Sequence, residues 1–269
     1  MEKIESIIYK FLGGNKIEQK LIRCQSYRPN SVPKFKSQTN LNWLETVKLL
    51  NSIEIFDAQR IRSVIHKIVE NNAEIFNADN LFITSFGSEG KSGGKIAYEI
   101  RHTKLFGNKK FVNSWELSKL PEESTIIFVE DLIGTGTQST EYILTKLNLL
   151  LNPSHKPYLL TICATSEGIE KVSKETNFKV VNGIELRENE FQHYTENCKT
   201  FSNKIKRKLI DLNNKLKKSG SLDYDRGLLV SFFYSPPNNS MPILWKDGYP
   251  YKDKKGKDKK WFALIPREY

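Results

Sequence analysis

The sequence predicts an α/β protein in which a parallel sheet follows a helical segment and precedes a basic C-terminal part. From about residue 80, short runs rich in β-branched and aromatic residues alternate with stretches long enough for a helix. Before that point the apolar residues follow helical spacing instead. Strands separated by single helices form βαβ units, whose strands run parallel in one sheet.

Residues 1–77 are predicted to form a helical N-terminal extension. The first helix carries apolar residues at helical spacing and ends at a pair of glycines, Gly13 and Gly14. Asp57 can cap a later helix of the same segment. The apolar stripe of that helix consists of Ile61, Val64, Ile65, Ile68 and Val69.

Residues 78–235 are predicted to form the α/β core. Its strands are expected at residues 81–86, 125–129, 158–164 and 178–184, with a weaker strand at residues 111–112. An amphipathic helix is expected over residues 200–218, followed by a strand near residues 228–234. The buried stripe of this helix is predicted as Phe201, Ile205, Leu209, Leu212 and Leu216. Its basic residues are predicted on or beside the exposed side: Lys204, Lys206, Arg207, Lys208, Lys215, Lys217 and Lys218.

Residues 236–269 are predicted to form a C-terminal hood that includes a basic exposed loop or hairpin over residues 246–260. The formal net charge of the chain is +11, and residues 199–269 hold 17 Lys and Arg against 7 Asp and Glu. Almost all of the basic excess therefore lies in the last quarter of the chain. Such a region suggests an anionic partner, such as a nucleic acid or a nucleotide. A lysine-rich solvated surface is the alternative, and the sequence leaves both open.

Composition and motifs exclude several classes of protein. No apolar run approaches the roughly 18 residues that a membrane span needs, and the N-terminus lacks the apolar core of a secretory signal. The three cysteines are far apart and form no C-x-x-C pair, so neither a disulfide framework nor a zinc cluster is expected. The four histidines are scattered and suggest no metal site or catalytic triad. We therefore expect a cytoplasmic protein.

The sharpest motif is a buried strand that ends in two carboxylates, Glu130 and Asp131, and is followed by a small-residue loop. The loop, residues 134–138, reads Gly-Thr-Gly-Thr-Gln and precedes a helix expected from Glu141. Ligands bind at the carboxyl ends of parallel strands, and backbone N–H groups at a helix N-terminus can surround a phosphate. The acids cannot also bind phosphate, and their natural partners are hydroxyls or a phosphate-bound metal ion. The pattern therefore predicts a sugar phosphate ligand, although a chance βα turn remains the alternative.

This motif resembles the site of type I phosphoribosyltransferases for 5-phosphoribosyl-1-pyrophosphate (PRPP). The resemblance implies a Rossmann-like parallel sheet in which Glu130 and Asp131 contact the ribose 2′- and 3′-hydroxyls. It also implies that the 5′-phosphate lies against the loop residues Gly134, Thr135, Gly136, Thr137 and Gln138. Gln138 departs from the family pattern, which usually has Thr or Ser there. Thr137 or Ser139 could supply the missing hydroxyl.

A second glycine-rich loop, residues 87–94, follows the first strand of the core. It does not match the Walker A pattern, because Ser85 stands where that pattern needs its first glycine. The resemblance to phosphoribosyltransferases implies a pyrophosphate-binding role instead. The residues so assigned are Ser88, Glu89, Gly90, Lys91 and Ser92.

The C-terminal hood carries aromatic, amide and arginine side chains that could recognise a base by stacking and hydrogen bonding. These are Asn238, Asn239, Trp245, Trp261 and Arg267. Packing of Trp245 and Trp261 onto the core is the competing interpretation. The C-terminal pattern is also similar to the phosphoribosyltransferase-like effectors of bacterial antiphage systems, including those encoded with retrons. That similarity implies a toxic effector and a partner such as a reverse transcriptase complex.

The resemblance implies an enzyme that binds PRPP or a nucleotide together with Mg²⁺, held through the substrate, and acts at the C1′ bond of the ribose. Glu130 and Asp131 would be its catalytic residues. Only about 20 residues separate the helix at 95–102 from the strand at 125, which predicts a reduced lid over the site. A non-catalytic module that senses PRPP or docks nucleic acid is therefore one alternative. Housekeeping salvage of nucleobases is the other.

Overall fold

The computed structural model describes residues 2–87, 91–107, 110–216, 225–253 and 256–267. Its helices are α1 (Glu2–Phe11), α2 (Gly14–Leu21), α3 (Val32–Gln38), α4 (Trp43–Asn51), α5 (Ala58–Asn71), α6 (Ala73–Phe76), α7 (Ser92–His102), α8 (Thr137–Thr145), α9 (Ser166–Glu175), α10 (Glu188–Phe191), α11 (Asn203–Asn214) and α12 (Pro242–Trp245). Its strands are β1 (Glu54–Phe56), β2 (Leu81–Ser85), β3 (Thr125–Ile133), β4 (Lys156–Thr165), β5 (Lys179–Leu186), β6 (Val230–Phe232), β7 (Pro250–Lys252) and β8 (Asp258–Lys260). Turns of 3₁₀-helix occur at Ser114–Lys119 and Leu147–Leu149.

The chain folds into two compact units, residues 1–57 with 188–269, and residues 58–187. Three consecutive segments, divided after residues 77 and 235, were expected from the sequence. The structure groups the chain differently, because residues from both ends of the chain share one core. That core includes Leu49 from the N-terminal part and Leu244 from the C-terminal part.

The unit of residues 58–187 is built on a parallel sheet with the strand order β2-β3-β4-β5. One helix connects each neighbouring pair: α7, α8 and α9. This arrangement confirms the predicted α/β class. The weaker predicted strand is reduced to an isolated parallel bridge between Phe111 and Ile83 on β2.

Strand β3 is longer than its apolar run predicts. The expected end was residue 129, but pairing with β4 continues through Glu130, which lies opposite Thr161, to Ile133, opposite Ala164. Backbone hydrogen bonds from a neighbouring strand do not depend on side-chain polarity, so the strand can include two acids. The neighbour on the other side, β2, ends at Ser85 opposite Val129. Residues 130–133 of β3 therefore extend past the end of β2.

Helix α5 belongs to this unit, although the sequence grouped it with the N-terminal extension. Ile61, Val64, Ile65 and Ile68 are buried as predicted, and Val69 is half-buried. The helix lies against β5, where a Cβ added to Gly183 would be only 2.3 Å from the Val64 side chain. The absence of a side chain at Gly183 thus allows close packing of α5 on the sheet.

The unit of residues 1–57 and 188–269 is mostly helical and contains two small sheets. Strands β1 and β6 pair in parallel, and β7 and β8 form an antiparallel hairpin. The sequence predicts a loop or a hairpin for residues 246–260, and the structure shows the hairpin. The strand expected over residues 228–234 is shortened to β6, preceded by an isolated bridge between Leu228 and Ser240.

Helix α11 exposes less positive charge than its sequence predicts. Lys206 is buried and donates a hydrogen bond to the Thr195 carbonyl, which corrects its predicted exposure. Lys208 is also largely covered, with its ammonium 2.6 Å from a carboxylate oxygen of Glu45. The α11 residues that remain exposed among those predicted are Lys204 and Arg207, together with Lys215 at the helix end. Residues 217 and 218 lie outside the described residues.

The predicted apolar stripe of this helix is largely confirmed, although the helix is shorter than the expected 200–218. Leu209 and Leu212 are buried within α11, and Ile205 is half-buried. Phe201 and Leu216 are buried as well, but they lie just outside the two ends of the helix.

The three cysteines are buried free thiols. Burial raises the pKa of Cys163 well above its ordinary value, which favours the protonated and unreactive form expected from its apolar strand. Among the described residues, no helix is long and apolar enough to cross a membrane. The same part of the chain has no group of three or more His, Cys, Asp and Glu side chains that could hold a metal ion.

His193 should make the protein sensitive to acid. Its ring is 3% exposed, and burial, with Lys206 nearby, lowers its pKa to about 4. The unfolded chain binds this proton near pH 6.5, so the folded state loses stability as the pH falls from about 6.5 to about 4. At about 1.4 kcal/mol per pKa unit the loss reaches roughly 3 kcal/mol.

Urea unfolding at several pH values between 7 and 4 would measure this loss. We expect His193→Asn to show a smaller fall in the free energy of unfolding than the parent. His66→Asn, at a half-buried histidine on α5, is the control and should follow the parent. An equal fall in the parent and in His193→Asn would contradict the role of His193.

Candidate functional site

The candidate site lies where β2 ends and β3 continues, in the unit of residues 58–187. Helix α7 begins there in close contact with the sheet. A Cβ added to Gly93 would lie 2.5 Å from the Val129 carbonyl oxygen and 2.6 Å from that of Phe86. Real Cβ atoms essentially never approach this closely, so only glycine allows the helix to start at this position. The first turn of α7 is thereby held beside the acidic end of β3.

Glu130 is linked to this turn by a short hydrogen bond. The Ser92 hydroxyl donates to Glu130 Oε1 at 2.5 Å, and the backbone N–H of Asp131 donates to the same oxygen at 3.0 Å. Burial raises the pKa of Glu130 well above its ordinary value, and the neighbouring Asp131 carboxyl raises it further. The ionised form of Glu130 is therefore costly without a cation or further hydrogen-bond donors.

Asp131 is held by its own backbone and by β4. Its Oδ1 accepts a hydrogen bond from the Leu132 N–H at 2.7 Å, and its carbonyl accepts one from the Thr161 hydroxyl at 3.2 Å. Asp131 raises the pKa of Cys163, whereas Arg60 on α5 lowers it. Asp131 and Arg60 thus act in opposite directions on the pKa of the same buried thiol.

The loop of residues 134–138 turns directly into α8. Gly136 has a φ of 75°, in the left-handed region that favours glycine, and it is the residue before the helix. The helix begins at Thr137, not at the expected Glu141, so Thr137 and Gln138 form its exposed first residues. Backbone N–H groups in this first turn can bind an anion.

Strand β4 and helix α9 hold the loop from the other side. The Thr165 hydroxyl donates to the Gly134 carbonyl at 2.6 Å and accepts from the Gly168 N–H at 3.0 Å. A Cβ on Gly168 would lie 2.2 Å from the Gly134 oxygen. The start of α9 therefore packs directly against the loop backbone.

Two side chains of the first turn of α8 are buried beside this loop. Ser139, which the sequence named as a substitute for the missing hydroxyl at position 138, is 7% exposed. The buried hydroxyl of Thr140 has no hydrogen-bond partner within the described part of the chain. The exposed Thr137 is therefore the better placed of the two hydroxyl substitutes that the sequence suggested.

The second glycine-rich loop, residues 87–94, is joined to the acidic end of β3 by the hydrogen bond between Ser92 and Glu130. Lys91, which precedes α7, is exposed to solvent. Ser88, Glu89 and Gly90 lie outside the described residues. The structure thus places one end of the second loop against the acidic end of β3.

The aromatic residues predicted for base recognition belong to the other unit and are packed inside it. Trp261 is 2% exposed, and its indole N–H donates to the Ile243 carbonyl at 2.9 Å. Trp245 is 8% exposed, and its indole N–H donates to Ser240. Burial favours the packing interpretation for both rings, because a covered ring face cannot stack on a base.

The remaining hood residues are also engaged within their own unit. The Arg267 guanidinium lies 4.7 Å from the Trp245 ring centroid and donates to the Pro236 carbonyl at 2.7 Å. Asn239 is buried and Asn238 is half-buried. A base-binding role for these three side chains stays a prediction.

Sequence reasoning missed Thr165 and Gly168, which hold the loop of residues 134–138. Thr165 and Gly168 could have been predicted by the argument used for the two loops, because a hydroxyl residue and a glycine stand where β4 passes into α9. That signal was present in the sequence, because the carboxyl ends of neighbouring parallel strands meet at one edge of the sheet.

Comparison with known proteins identifies a family and a set of structures. The family model described as PRTase-CE matches residues 30–267, which leaves α1 and α2 outside the match. No curated protein matches the sequence.

Solved structures similar to this chain include phosphoribosyltransferases. Orotate phosphoribosyltransferase from Aeropyrum pernix shares 13% identity over 48% of this chain and 73% of its own, with a TM-score of 0.34. The Mycobacterium tuberculosis H37Rv orotate enzyme in complex with PRPP shares 12% identity over 56% and 79%, with a TM-score of 0.32. The hypoxanthine-guanine enzyme from Schistosoma mansoni in complex with IMP shares 16% over 52% and 67%, with a TM-score of 0.33.

Proposed function

We propose, from the premise that this chain belongs to the PRTase-CE family, that it binds PRPP or a nucleotide with Mg²⁺ at the acidic end of β3. There it acts as a phosphoribosyltransferase-like enzyme on the C1′ bond of the ribose. The observation that carries this proposal is the acid pair at the end of β3, half-buried Glu130 and buried Asp131, followed directly by the loop of residues 134–138.

Ribose hydroxyls suit the acid pair because each hydroxyl donates a hydrogen bond to a carboxylate. Burial raises the pKa of Glu130, so such donors would stabilise its ionised form. When the bond at C1′ breaks, the ribosyl carbon becomes cation-like, and nearby carboxylate charge stabilises it. Ser92 supports this role by fixing the orientation of the Glu130 carboxyl.

The phosphate of the ligand would lie against the backbone of residues 134–138. The first N–H groups of α8 and its positive dipole end favour an anion there. Lys91, exposed at the start of α7, would add positive charge toward the pyrophosphate.

Magnesium would be held through the oxygen atoms of the bound substrate, because Mg²⁺ prefers oxygen ligands and is commonly bound together with substrate phosphates. When bound with PRPP, the ion neutralises the charge of the pyrophosphate.

The proposal is tested by heating the protein with PRPP, ribose 5-phosphate or common nucleoside monophosphates in the presence of Mg²⁺. A ligand at about 100 times its Kd adds about 2.7 kcal/mol of stability, which should raise the Tm by roughly 5 °C or more. No shift with any of these ligands would refute the assignment of the site. Release of pyrophosphate from PRPP then separates an enzyme from a module that only senses the ligand.

We further propose that the protein is an effector of a bacterial antiphage system, such as a retron. The support is the similarity of the C-terminal pattern to such effectors. A neighbouring reverse transcriptase gene, and growth arrest on expression, would favour this role. A purine-salvage operon around the gene would favour housekeeping salvage instead.

A further inference from the structure

A cavity lies in the unit of residues 1–57 and 188–269, whereas the acid pair belongs to the unit of residues 58–187. Its volume is about 350 Å³, and it is lined by α3, the end of α11 and the hairpin of β7 and β8. Four of its lining residues are lysines: Lys34, Lys215, Lys252 and Lys259. This volume falls within the range of small-ligand sites.

The positive charge of this cavity is mostly uncompensated. Asp253 is the one carboxylate among the described lining residues, and it lies 3.3 Å from the ammonium of Lys259. Its other oxygen accepts a hydrogen bond from the backbone of Lys257 at 3.0 Å. Within the described ranges, no carboxylate pairs with Lys34, Lys215 or Lys252. Three like charges around one cavity repel each other, so a bound anion would lower their energy.

The walls of the cavity are fixed by contacts within the unit. Gln38 forms two hydrogen bonds with the backbone of Phe262, one accepted at 2.9 Å and one donated at 3.2 Å. The Lys34 ammonium lies 4.1 Å from the centroid of the Phe262 ring. Tyr251 is buried and packs edge-on against Trp261, with the ring centroids 5.3 Å apart. The backbone beside the cavity lysines is therefore held by hydrogen bonds and packed rings.

We propose that this cavity binds adjacent phosphate groups. Three uncompensated ammonium groups match the charge of a di- or triphosphate, and lysine is a common phosphate ligand. Two sources share this chemistry: a free polyphosphate compound, such as a nucleoside triphosphate, and the backbone of a single-stranded nucleic acid. Tyr251 is covered by Trp261, so recognition depends on charge rather than on stacking with a base. This inference does not depend on the proposed PRPP site.

Lysine acetylation followed by mass spectrometry tests the cavity in the full chain. Tripolyphosphate and an oligothymidylate are the two probes. Acetylation of the four cavity lysines should slow about tenfold when a probe is present at roughly ten times its Kd, because about a tenth of the sites then stay open. Lys16 and Lys67, exposed on α2 and α5, should react unchanged. Lys91 reports the proposed PRPP site separately.

The two probes distinguish the sources, and a variant pair supplies the control. Protection by tripolyphosphate alone identifies a free compound, and protection by oligothymidylate alone or by both identifies a site open to a nucleic-acid backbone. Lys34→Gln with Lys252→Gln should abolish protection of Lys215 and reduce the log–log salt slope of oligothymidylate binding by about 1.4. Lys16→Gln with Lys67→Gln changes the total charge equally and should behave as the parent. Protection of no lysine, or equal protection of all of them, overturns the proposal.

Discussion

Replacement of both Glu130 and Asp131 by alanine is expected to abolish the increase in Tm caused by PRPP with Mg²⁺. The full stabilisation of about 2.7 kcal/mol at 100 times the Kd would be lost, because both acceptors of the ribose hydroxyls are removed. The double variant should remain folded, since the strand hydrogen bonds to β4 involve the backbone rather than the carboxylates. Thermal unfolding with and without ligand measures the effect.

The single change Glu130→Gln removes the charge of Glu130 and keeps the shape of its side chain. Because the pKa of Glu130 is raised in the folded state, this carboxyl lowers stability at neutral pH, where the unfolded chain ionises it more readily. That penalty disappears as the pH falls below the ordinary pKa of glutamate. Glu130→Gln should therefore raise the Tm of the ligand-free protein at neutral pH and lose this advantage in acid.

A matched control removes two acids elsewhere in the same unit. Glu74→Ala with Glu122→Ala changes the net charge equally at exposed positions and should keep the response to the ligand. A double variant of Glu130 and Asp131 that still responds to PRPP would leave the motif without its proposed role. Should that variant fail to fold, Ser92→Ala tests the site, because it removes only the hydroxyl that orients Glu130.

Replacement of Gly168 by alanine is expected to displace the loop of residues 134–138, because the start of α9 packs directly against the backbone of that loop. The new Cβ would lie 2.2 Å from the Gly134 carbonyl oxygen and 2.8 Å from the Ile133 side chain. Either the loop or the start of α9 must move, which should cost about 1–3 kcal/mol of stability. Because the loop backbone is the proposed phosphate ligand, affinity for PRPP should fall by more than tenfold, as measured by calorimetry.

Gly94 provides the matched control, because it occupies the third position of α7 as Gly168 does of α9. A Cβ at Gly94 would meet no atom within 4 Å. Gly94→Ala should therefore keep the fold and stabilise the helix by roughly 0.5–1 kcal/mol, in contrast to the loss expected for Gly168→Ala. Unchanged affinity in Gly168→Ala would show that the loop of residues 134–138 does not bind the phosphate.

The strands, helices and glycine loops of the core could be predicted because they depend on the spacing of neighbouring residues. Strands β2, β4 and β5 and the stripe of α5 follow apolar patterns that are visible in the sequence. The acid pair and the loop that follows it could be found in the same way, since strand, turn and helix are consecutive in the chain.

The tertiary structure decided which residues from distant parts of the chain meet. Strand β1 pairs with β6 across more than 170 residues, and residues 1–57 share a unit with 188–269. The extension of β3 through Glu130 depends on hydrogen bonds that β4 supplies. No local pattern contains these pairings, because side-chain spacing indicates which face is apolar and not which strand will cover it.

Burial of polar and aromatic groups was likewise decided by the fold. Lys206 and His193 are buried together near the start of α11, and Trp261 is covered by Phe35 and Tyr251. The raised pKa of Glu130 has the same origin. The sequence by itself determined the local elements and the chemical groups they carry. Only the tertiary structure decided which of those groups lose their water, because desolvation depends on neighbours in space rather than along the chain.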